Sequence, residues 1–177
     1  DLAAGCSLAD GCPVEPFRAW RARHPGAVAV SYINCSAAVK AESDIICTSS
    51  NAEKVLAAAP AGRPILFGPD KNLGGFLQKK LGRAMTMWPG ACIVHESFSA
   101  RKIARLRAAH PAAKFIAHPE CEDHVLALAD FVGSTSRLLA FVQQDESREY
   151  IVGTETGILH AMRKAAPHKR FLEVPYE

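Results

Sequence analysis

Short apolar segments alternate with amphipathic segments along the whole of this 177-residue sequence. The apolar segments are rich in Val, Ile and Phe and are flanked by turn residues, which predicts buried strands, whereas the segments between them have the apolar spacing of helices. The predicted strands are 27–33, 44–47, 64–67, 84–88, 113–117, 130–132, 149–152 and 170–173. The predicted helices are 14–23, 36–42, 50–58, 72–81, 98–109, 121–128, 135–143 and 156–165. This alternation predicts an α/β fold in which helices cover short parallel sheets.

Residues of matched chemistry recur at a fixed separation. The pairs that lie 86 residues apart are Asn34 and Glu120, Thr48 and Ser134, and Cys6 and Cys92. Fixed spacing with matched chemistry indicates duplicated modules. One further period from Cys92 leads to position 178, so we expect a third cysteine shortly beyond Glu177. If the modules are arranged around a pseudo-symmetry axis, equivalent residues converge near it, and three such cysteines would meet at one point.

Charge and cysteine content argue against several classes of protein. The net charge is +3 and the basic residues are scattered, so we expect no nucleic-acid partner. No apolar run approaches the ~18 residues that a membrane helix needs, and the start has no signal-peptide pattern, so we expect no membrane partner. A chain of this length with a Val, Ile, Leu and Ala core does not need disulfides, which predicts that the six cysteines are free or metal-bound thiols in a reducing, cytoplasmic compartment. They include no CxxC pair, so any metal ligands come from distant parts of the chain. Of these, Cys35 and Cys47 lie in or beside apolar segments and are predicted to be buried.

Polar residues concentrate directly after the predicted strands, where helices begin. These segments are 32–34, 48–50, 68–70, 118–120, 133–135 and 153–155. The carboxyl ends of strands form the ligand crevice of open α/β sheets, and helix N-termini there suit carboxylates and phosphates. A plainer alternative is helix capping, which applies to Ser49, Ser134 and Thr135. Likewise, Tyr32 could be a core residue and His118 could simply end a strand.

Taken in order, these motifs resemble those of the quinolinate synthase family (quinolinate synthase A), iron–sulfur enzymes of de novo NAD biosynthesis. The residues that carry the resemblance are Ala4–Asp10, Tyr32–Asn34, Thr48–Ser50, Gly68–Gly74, Pro89–Glu96, His118–Glu120 and Gly133–Ser136. The resemblance implies a transferase that condenses iminoaspartate with dihydroxyacetone phosphate to quinolinate, with release of phosphate and water. It also implies an upstream L-aspartate oxidase or dehydrogenase as the source of iminoaspartate.

The resemblance further implies three homologous three-layer α/β modules around a pseudo-threefold axis. On that basis residues 1–25 are the tail of the first module, residues 26–97 are the second module and residues 98–177 are the third. The remainder of the first module is expected before Asp1, where it would supply a further His, Ser and Tyr to the substrate site.

The family's functional residues carry over position by position. Cys6 and Cys92 match two ligands of a [4Fe–4S] cluster whose third cysteine is expected beyond residue 177, which leaves one iron open as a Lewis acid. The implied catalytic residues are His118, Glu120, Tyr32 and His95. The implied substrate-binding residues are Tyr32, Asn34, Ser49, His118, Glu120 and Thr135. Among them, His118 and Glu120 form a plausible proton-transfer unit for dehydration.

Two other functions remain open from the residues. One is a metal-free enzyme of the same architecture, such as a phospho-sugar isomerase or aldolase, with His118 and Glu120 as its acid/base pair. The other is a non-catalytic small-molecule-binding module whose cleft also lies at strand ends. The first leaves the matched spacing of Cys6 and Cys92 without a reason, and the second needs neither thiols nor a histidine–carboxylate pair.

Overall fold

The computed structural model describes residues 4–176. Its strands are β1 Val28–Tyr32, β2 Ile45–Cys47, β3 Ile65–Gly68, β4 Thr86–Met87, β5 Lys114–Ala117, β6 Phe131–Val132, β7 Glu149–Gly153 and β8 Arg170–Glu173. Its helices are α1 Ser7–Asp10, α2 Val14–Ala22, α3 Ala37–Ala41, α4 Ala52–Ala58, α5 Lys71–Leu81, α6 Ile93–Glu96, α7 Ala100–Ala109, α8 Asp123–Leu126, α9 Thr135–Gln144 and α10 Ile158–Ala165. Among the described residues, none of these helices has the length and apolar character that would let it cross a membrane.

Every predicted strand and helix is present, with ends within two residues of the prediction. The helices α1 and α6 were not predicted. Each has only four residues, about one turn, so no apolar period could reveal it. Both follow directly after a repeated cysteine, Cys6 or Cys92, and they are themselves 86 residues apart.

The chain divides into two compact units, the first ending at Ile93 and the second beginning at Val94. Each unit contains one four-stranded parallel sheet, in the order β2-β1-β3-β4 in the first and β6-β5-β7-β8 in the second. The two orders are the same topology, which confirms the predicted α/β fold with repeated parallel-sheet modules. The pseudo-threefold arrangement and the boundaries at residues 25 and 97 stay predictions.

Helices pack on both faces of the sheet in the first unit. Along β1, Val28 and Val30 pack in one apolar cluster with Leu56 of α4 and Leu73 of α5. The alternate residue Ala29 belongs to a second cluster, which includes Phe17 and Trp20 of α2 and Val39 of α3. Successive strand side chains point to opposite faces, so the sheet is the middle layer of three.

The second unit has the same three layers. Phe115 of β5 packs in a cluster with Ile103 of α7 and Val125 of α8. Its neighbour Ile116 faces the other way, toward Leu138 of α9 and Met162 of α10. Burial of this kind contributes roughly 1.5–3 kcal/mol for each large aliphatic or aromatic side chain, and it is the main stabilising term in both units.

An arginine–aspartate contact is repeated in the two units and confirms that the duplication extends to side-chain contacts. In the first unit Arg21 pairs with Asp44 at 2.6 Å, and the other carboxylate oxygen of Asp44 accepts a hydrogen bond from the backbone N–H of Ala29 at 2.8 Å. In the second unit Arg107 pairs with Asp130 at 3.1 Å, and Asp130 accepts from the N–H of Phe115 at 2.7 Å. Each residue of the second set lies 86 positions after its counterpart. The contact ties a helix on one face to the start of the central strand.

Asp145 is the centre of a polar network at the end of α9. Its carboxylate accepts hydrogen bonds from the Tyr150 hydroxyl at 2.8 Å and the Ser147 backbone N–H at 3.0 Å, and it forms an ion pair with Lys114. Burial alone would raise the pKa of Asp145, but the hydrogen bonds from Lys114, Ser147 and Tyr150 outweigh it and lower that pKa well below its ordinary value. The folded chain therefore favours the ionised carboxylate.

We expect Asp145→Asn to destabilise the chain at pH 7 by about 1–2 kcal/mol, because a charged acceptor is lost from three donors in a partly exposed site. A lowered folded pKa stabilises the fold fully above the unfolded-state pKa of about 4, and that contribution decreases progressively as the pH falls from this value through the lower folded-state pKa. Urea unfolding at pH 7 and pH 3 measures the difference. Glu146→Gln, at the exposed neighbouring position, is the matched control and should change little. A loss in Asp145→Asn that is as large at pH 3 as at pH 7 would contradict this reading.

Candidate active site

A cluster of four polar side chains lies at the carboxyl ends of the second unit's central strands. His118 and Glu120 follow β5, and Thr154 follows β7. These strands are hydrogen-bonded neighbours, with Ala117 of β5 opposite Gly153 of β7, so the segments after them start side by side. The fourth member, His95, comes from α6. All four residues are buried, with 2–5% of their surface exposed.

His95 has a polar partner at each ring nitrogen. Its Nδ1 lies 3.1 Å from the Glu120 carboxylate, and its Nε2 lies 3.2 Å from the Thr154 hydroxyl. Its ring stacks on the His118 ring at a centroid distance of 5.2 Å and an interplanar angle of 27°. The Glu120 contact is a charge contact rather than a hydrogen bond. Its negative charge favours the tautomer with the proton on Nδ1, in which Nε2 accepts from the threonine hydroxyl.

His118 is held neutral in this cluster. Burial lowers the pKa of His118 to about 4, since the attraction of Glu120 offsets only part of that loss and His95 lowers the pKa further. The Glu120 backbone N–H points at His118 Nδ1, at 3.4 Å, so the proton of the neutral ring belongs on Nε2. The Glu120 carboxylate is 3.8 Å from His118 Nδ1, longer than a hydrogen bond, and its shorter contact is with His95.

We expect the NMR signals of the His118 ring, in the chain without bound iron, to show no inflection between pH 8 and pH 5, because the pKa of His118 lies near 4. The ordinary pKa of histidine is about 6.5. The resonance is identified by its absence from His118→Gln. A midpoint near pH 6.5 for this resonance would contradict the burial and charge environment described above.

In the first unit, Tyr32 and Asn34 lie together at the end of β1. Tyr32 is buried, and its hydroxyl accepts a hydrogen bond from the Asn34 side-chain amide at 3.3 Å. Both residues are the counterparts, 86 positions earlier, of His118 and Glu120. The duplicated fold therefore places a phenol and an amide in one unit where it places an imidazole and a carboxylate in the other.

The predicted hydroxyl contacts lie where helices start. Ser49 is partly exposed in the turn that leads to α4, where the Thr48 hydroxyl contacts the Ser50 hydroxyl at 2.8 Å. The equivalent contact in the second unit joins the Ser134 and Ser136 hydroxyls at 3.1 Å. Ser134 caps α9, because its hydroxyl accepts from the Arg137 backbone N–H at 3.4 Å, as the capping alternative had it.

Thr135 is the exposed first residue of α9, beside this cap. The substrate roles of Ser49 and Thr135 stay predictions.

Cys6 and Cys92 lie on adjacent segments of the first unit. The Ile93 backbone N–H donates to the Ser7 hydroxyl at 3.2 Å, so the residues that follow the two cysteines are in direct contact. The Cys92 backbone N–H donates to the Asp70 carboxylate at 3.2 Å, and the other oxygen of Asp70 caps α5 at the Leu73 N–H. Asp70 is fully buried, and it both caps this helix and anchors the Cys92 segment.

The two repeated cysteines differ from the other four in accessibility. Cys6 is exposed and Cys92 is half-buried, whereas the others are buried: Cys12, Cys35, Cys47 and Cys121. All six are free of disulfides, as predicted. Burial raises the pKa of Cys12 and Cys47 to about 12, which keeps these thiols protonated and inert. Two accessible sulfur donors on adjacent segments fit the thiolate ligands that iron–sulfur clusters use.

Thr154 was missed as a site residue. It lies in one of the polar segments after a predicted strand, and that position was the only signal the sequence offered. Its contact with His95 depends on the register of β5 and β7 and on α6, an unpredicted helix.

A family model and several curated proteins match this chain over nearly its whole length. The family described as "NadA: Quinolinate synthetase A protein" matches residues 1–177. A Prochlorococcus marinus protein named quinolinate synthase is 55% identical over 175 residues, which are 99% of this chain and 53% of that protein. Proteins of the same name from Nostoc punctiforme and Trichodesmium erythraeum are 55% and 53% identical over 175 residues, 99% of this chain and 54% of each relative. The chain thus spans about half the length of the curated relatives it matches.

Fold and site together define an α/β protein of duplicated parallel-sheet modules, with a buried imidazole–carboxylate cluster at the ends of its strands. The family match over residues 1–177 then identifies the family within this class. The chain belongs to the quinolinate synthetase A family, which confirms the resemblance seen in its motifs.

Proposed function

We propose that the intact protein is a quinolinate synthase that condenses iminoaspartate with dihydroxyacetone phosphate and releases phosphate and water. The observation that carries the proposal is the buried contact between His95 and Glu120 beside a neutral His118. A ring-forming condensation that loses water needs protons removed from carbon and delivered to oxygen in a dry site. Membership of the family supports the choice of reaction.

Within the proposed reaction, the Glu120 carboxylate is the proton acceptor. Its short contact with His95 Nδ1 holds it in place and lets the imidazole share the proton that it takes up. The neutral His118 carries its proton on Nε2, the nitrogen turned away from Glu120, so it is the donor to a departing substrate oxygen. Tyr32, Asn34, Ser49 and Thr135 keep the substrate-binding roles that the family resemblance implies, through hydroxyl and amide contacts to carboxylate or phosphate oxygens.

Cys6 and Cys92 are proposed to hold a [4Fe–4S] cluster together with a third cysteine beyond residue 177. Their exposure, their adjacent segments and the chemistry of sulfur donors support this assignment. When bound, the cluster supplies a Lewis-acidic iron for a substrate oxygen or carboxylate. The chain's own contribution is to anchor the Cys92 segment through Asp70.

The proposed function also includes a pathway, a compartment and a source for one substrate. We propose that the protein acts in de novo NAD biosynthesis in the cytoplasm, as a transferase. An L-aspartate oxidase or dehydrogenase would supply its iminoaspartate, which is too unstable in water to be stored.

One assay separates this function from its two rivals. The anaerobically reconstituted intact protein is given dihydroxyacetone phosphate and iminoaspartate generated in the reaction mixture, and products are identified by mass spectrometry. Quinolinate that appears only when both substrates are present is the expected result. Turnover of dihydroxyacetone phosphate alone would indicate the isomerase or aldolase, and tight binding without turnover would indicate the binding module.

A further inference from the structure

We propose that Thr154 is a positioning residue that fixes the tautomer and orientation of His95 for the proposed reaction. The effect expected on catalysis rests on the proposed function. The effect expected on the His95 ring rests on the geometry of the four polar side chains alone. Thr154 is 3% exposed, and its hydroxyl lies 3.2 Å from His95 Nε2. No role in the resemblance falls on this residue.

The His95 ring is confined by its neighbours. The Phe98 ring packs against it edge-on at 5.7 Å, and the His118 ring stacks on it at 5.2 Å. These ring contacts restrict the plane of the His95 ring. They still allow a half-turn about its Cβ–Cγ bond, which would place a carbon atom where each ring nitrogen now lies. Only groups that recognise the nitrogens can select one of the two orientations.

Glu120 and Thr154 are those groups. The Glu120 carboxylate lies 3.1 Å from Nδ1 as a charge contact that attracts a proton there, and the Thr154 hydroxyl is hydrogen-bonded to Nε2. A flipped ring would put carbon atoms against a carboxylate and a hydroxyl in a buried site, which leaves these polar groups unsatisfied and is unfavourable. The Thr154 hydroxyl therefore favours the observed orientation of the His95 ring over the flipped one by about as much as one ordinary buried hydrogen bond is worth.

The fold holds Thr154 firmly enough for this role. The residue before it, Gly153, ends β7, and its carbonyl oxygen accepts hydrogen bonds from the His118 backbone N–H at 3.0 Å and the Cys121 thiol at 3.5 Å. This carbonyl ties the segment that carries His118 and Glu120 to the segment that carries Thr154. Threonine is also branched at Cβ, which limits the rotamers of its hydroxyl.

The test compares Thr154→Val, which keeps the shape and removes the hydroxyl, with Thr154→Ser, which keeps the hydroxyl and removes a methyl group. Nitrogen NMR of the histidine rings, in intact protein without bound iron, reports the His95 tautomer. Steady-state kinetics of the reconstituted protein report kcat and KM. We expect Thr154→Val to populate both tautomers of His95 and to lower kcat about tenfold with little change in KM. Thr154→Ser should restore a single tautomer and most of the activity.

Thr156→Val, two residues along the same segment, is the matched control and should leave tautomer and kcat unchanged. If Thr154→Val keeps the wild-type tautomer and kcat while Thr154→Ser is impaired, the residue only fills space and the proposal is overturned. If the unaltered protein makes no quinolinate but Thr154→Val still mixes the tautomers, the proposed function fails and the positioning of His95 by Thr154 stands.

Discussion

Intact protein in which Cys92 is replaced by serine is expected to retain little iron after anaerobic reconstitution and to lose the brown colour of the unaltered protein. Cys92 is half-buried, and its backbone N–H is held by the carboxylate of the fully buried Asp70, so the segment should keep its conformation while the sulfur donor is lost. Serine binds iron far less well than a thiolate does. Iron and sulfide analysis, together with the visible absorption spectrum, measures the loss.

The control for Cys92→Ser is Cys47→Ala in the same unit. Cys47 is a buried core residue whose pKa burial raises to about 12, so it is not expected to bind metal. This variant should lose some stability and keep the iron content of the unaltered protein. Full iron and sulfide content in Cys92→Ser would show that Cys92 is not a ligand.

The second large effect is expected from Glu120→Gln, which should lower kcat by roughly 10²–10⁴ with a smaller change in KM. Glutamine has the same shape, and its carbonyl oxygen can occupy the same position beside His95 Nδ1, so the stacked histidine pair should persist. What is lost is a group that can take up a proton. Initial rates of quinolinate formation at several concentrations of each substrate separate kcat from KM.

Glu122→Gln, a half-exposed position in the next turn, is the control for Glu120→Gln and should have kcat close to that of the unaltered protein. Circular dichroism and iron content of both variants verify that fold and cofactor are intact. A Glu120→Gln variant with full kcat would remove Glu120 from the proposed chemistry and leave the two histidines, His118 and His95, as the candidates in this cluster.

The fold could be predicted closely because its signals are local. Each strand is a short run of Val, Ile or Phe between turn residues, and the spacing of 86 residues links one module to the other. The same spacing joins Arg21 to Arg107 and Asp44 to Asp130, which form equivalent ion pairs. Four-residue helices such as α1 and α6 carry no such signal, because one turn is shorter than the period that would reveal it.

The candidate site could be predicted only in its parts. Sequence adjacency suggested His118 and Glu120 as a pair, and both are buried in one cluster. The shorter carboxylate contact is instead with His95, which comes from a different element. Thr154 joins the cluster through the register of two strands. Contacts of this kind depend on how elements are placed in space, and one sequence read alone does not contain that information.

The most direct measurement of the central claim is quinolinate formation by one batch of intact protein in three states: anaerobically reconstituted with iron and sulfide, stripped of iron, and reconstituted again. We expect the rate of quinolinate formation to follow the iron content through all three states, and Cys6→Ser and Cys92→Ser to stay inactive throughout. Colourless, iron-free protein that makes quinolinate at the full rate would contradict this expectation.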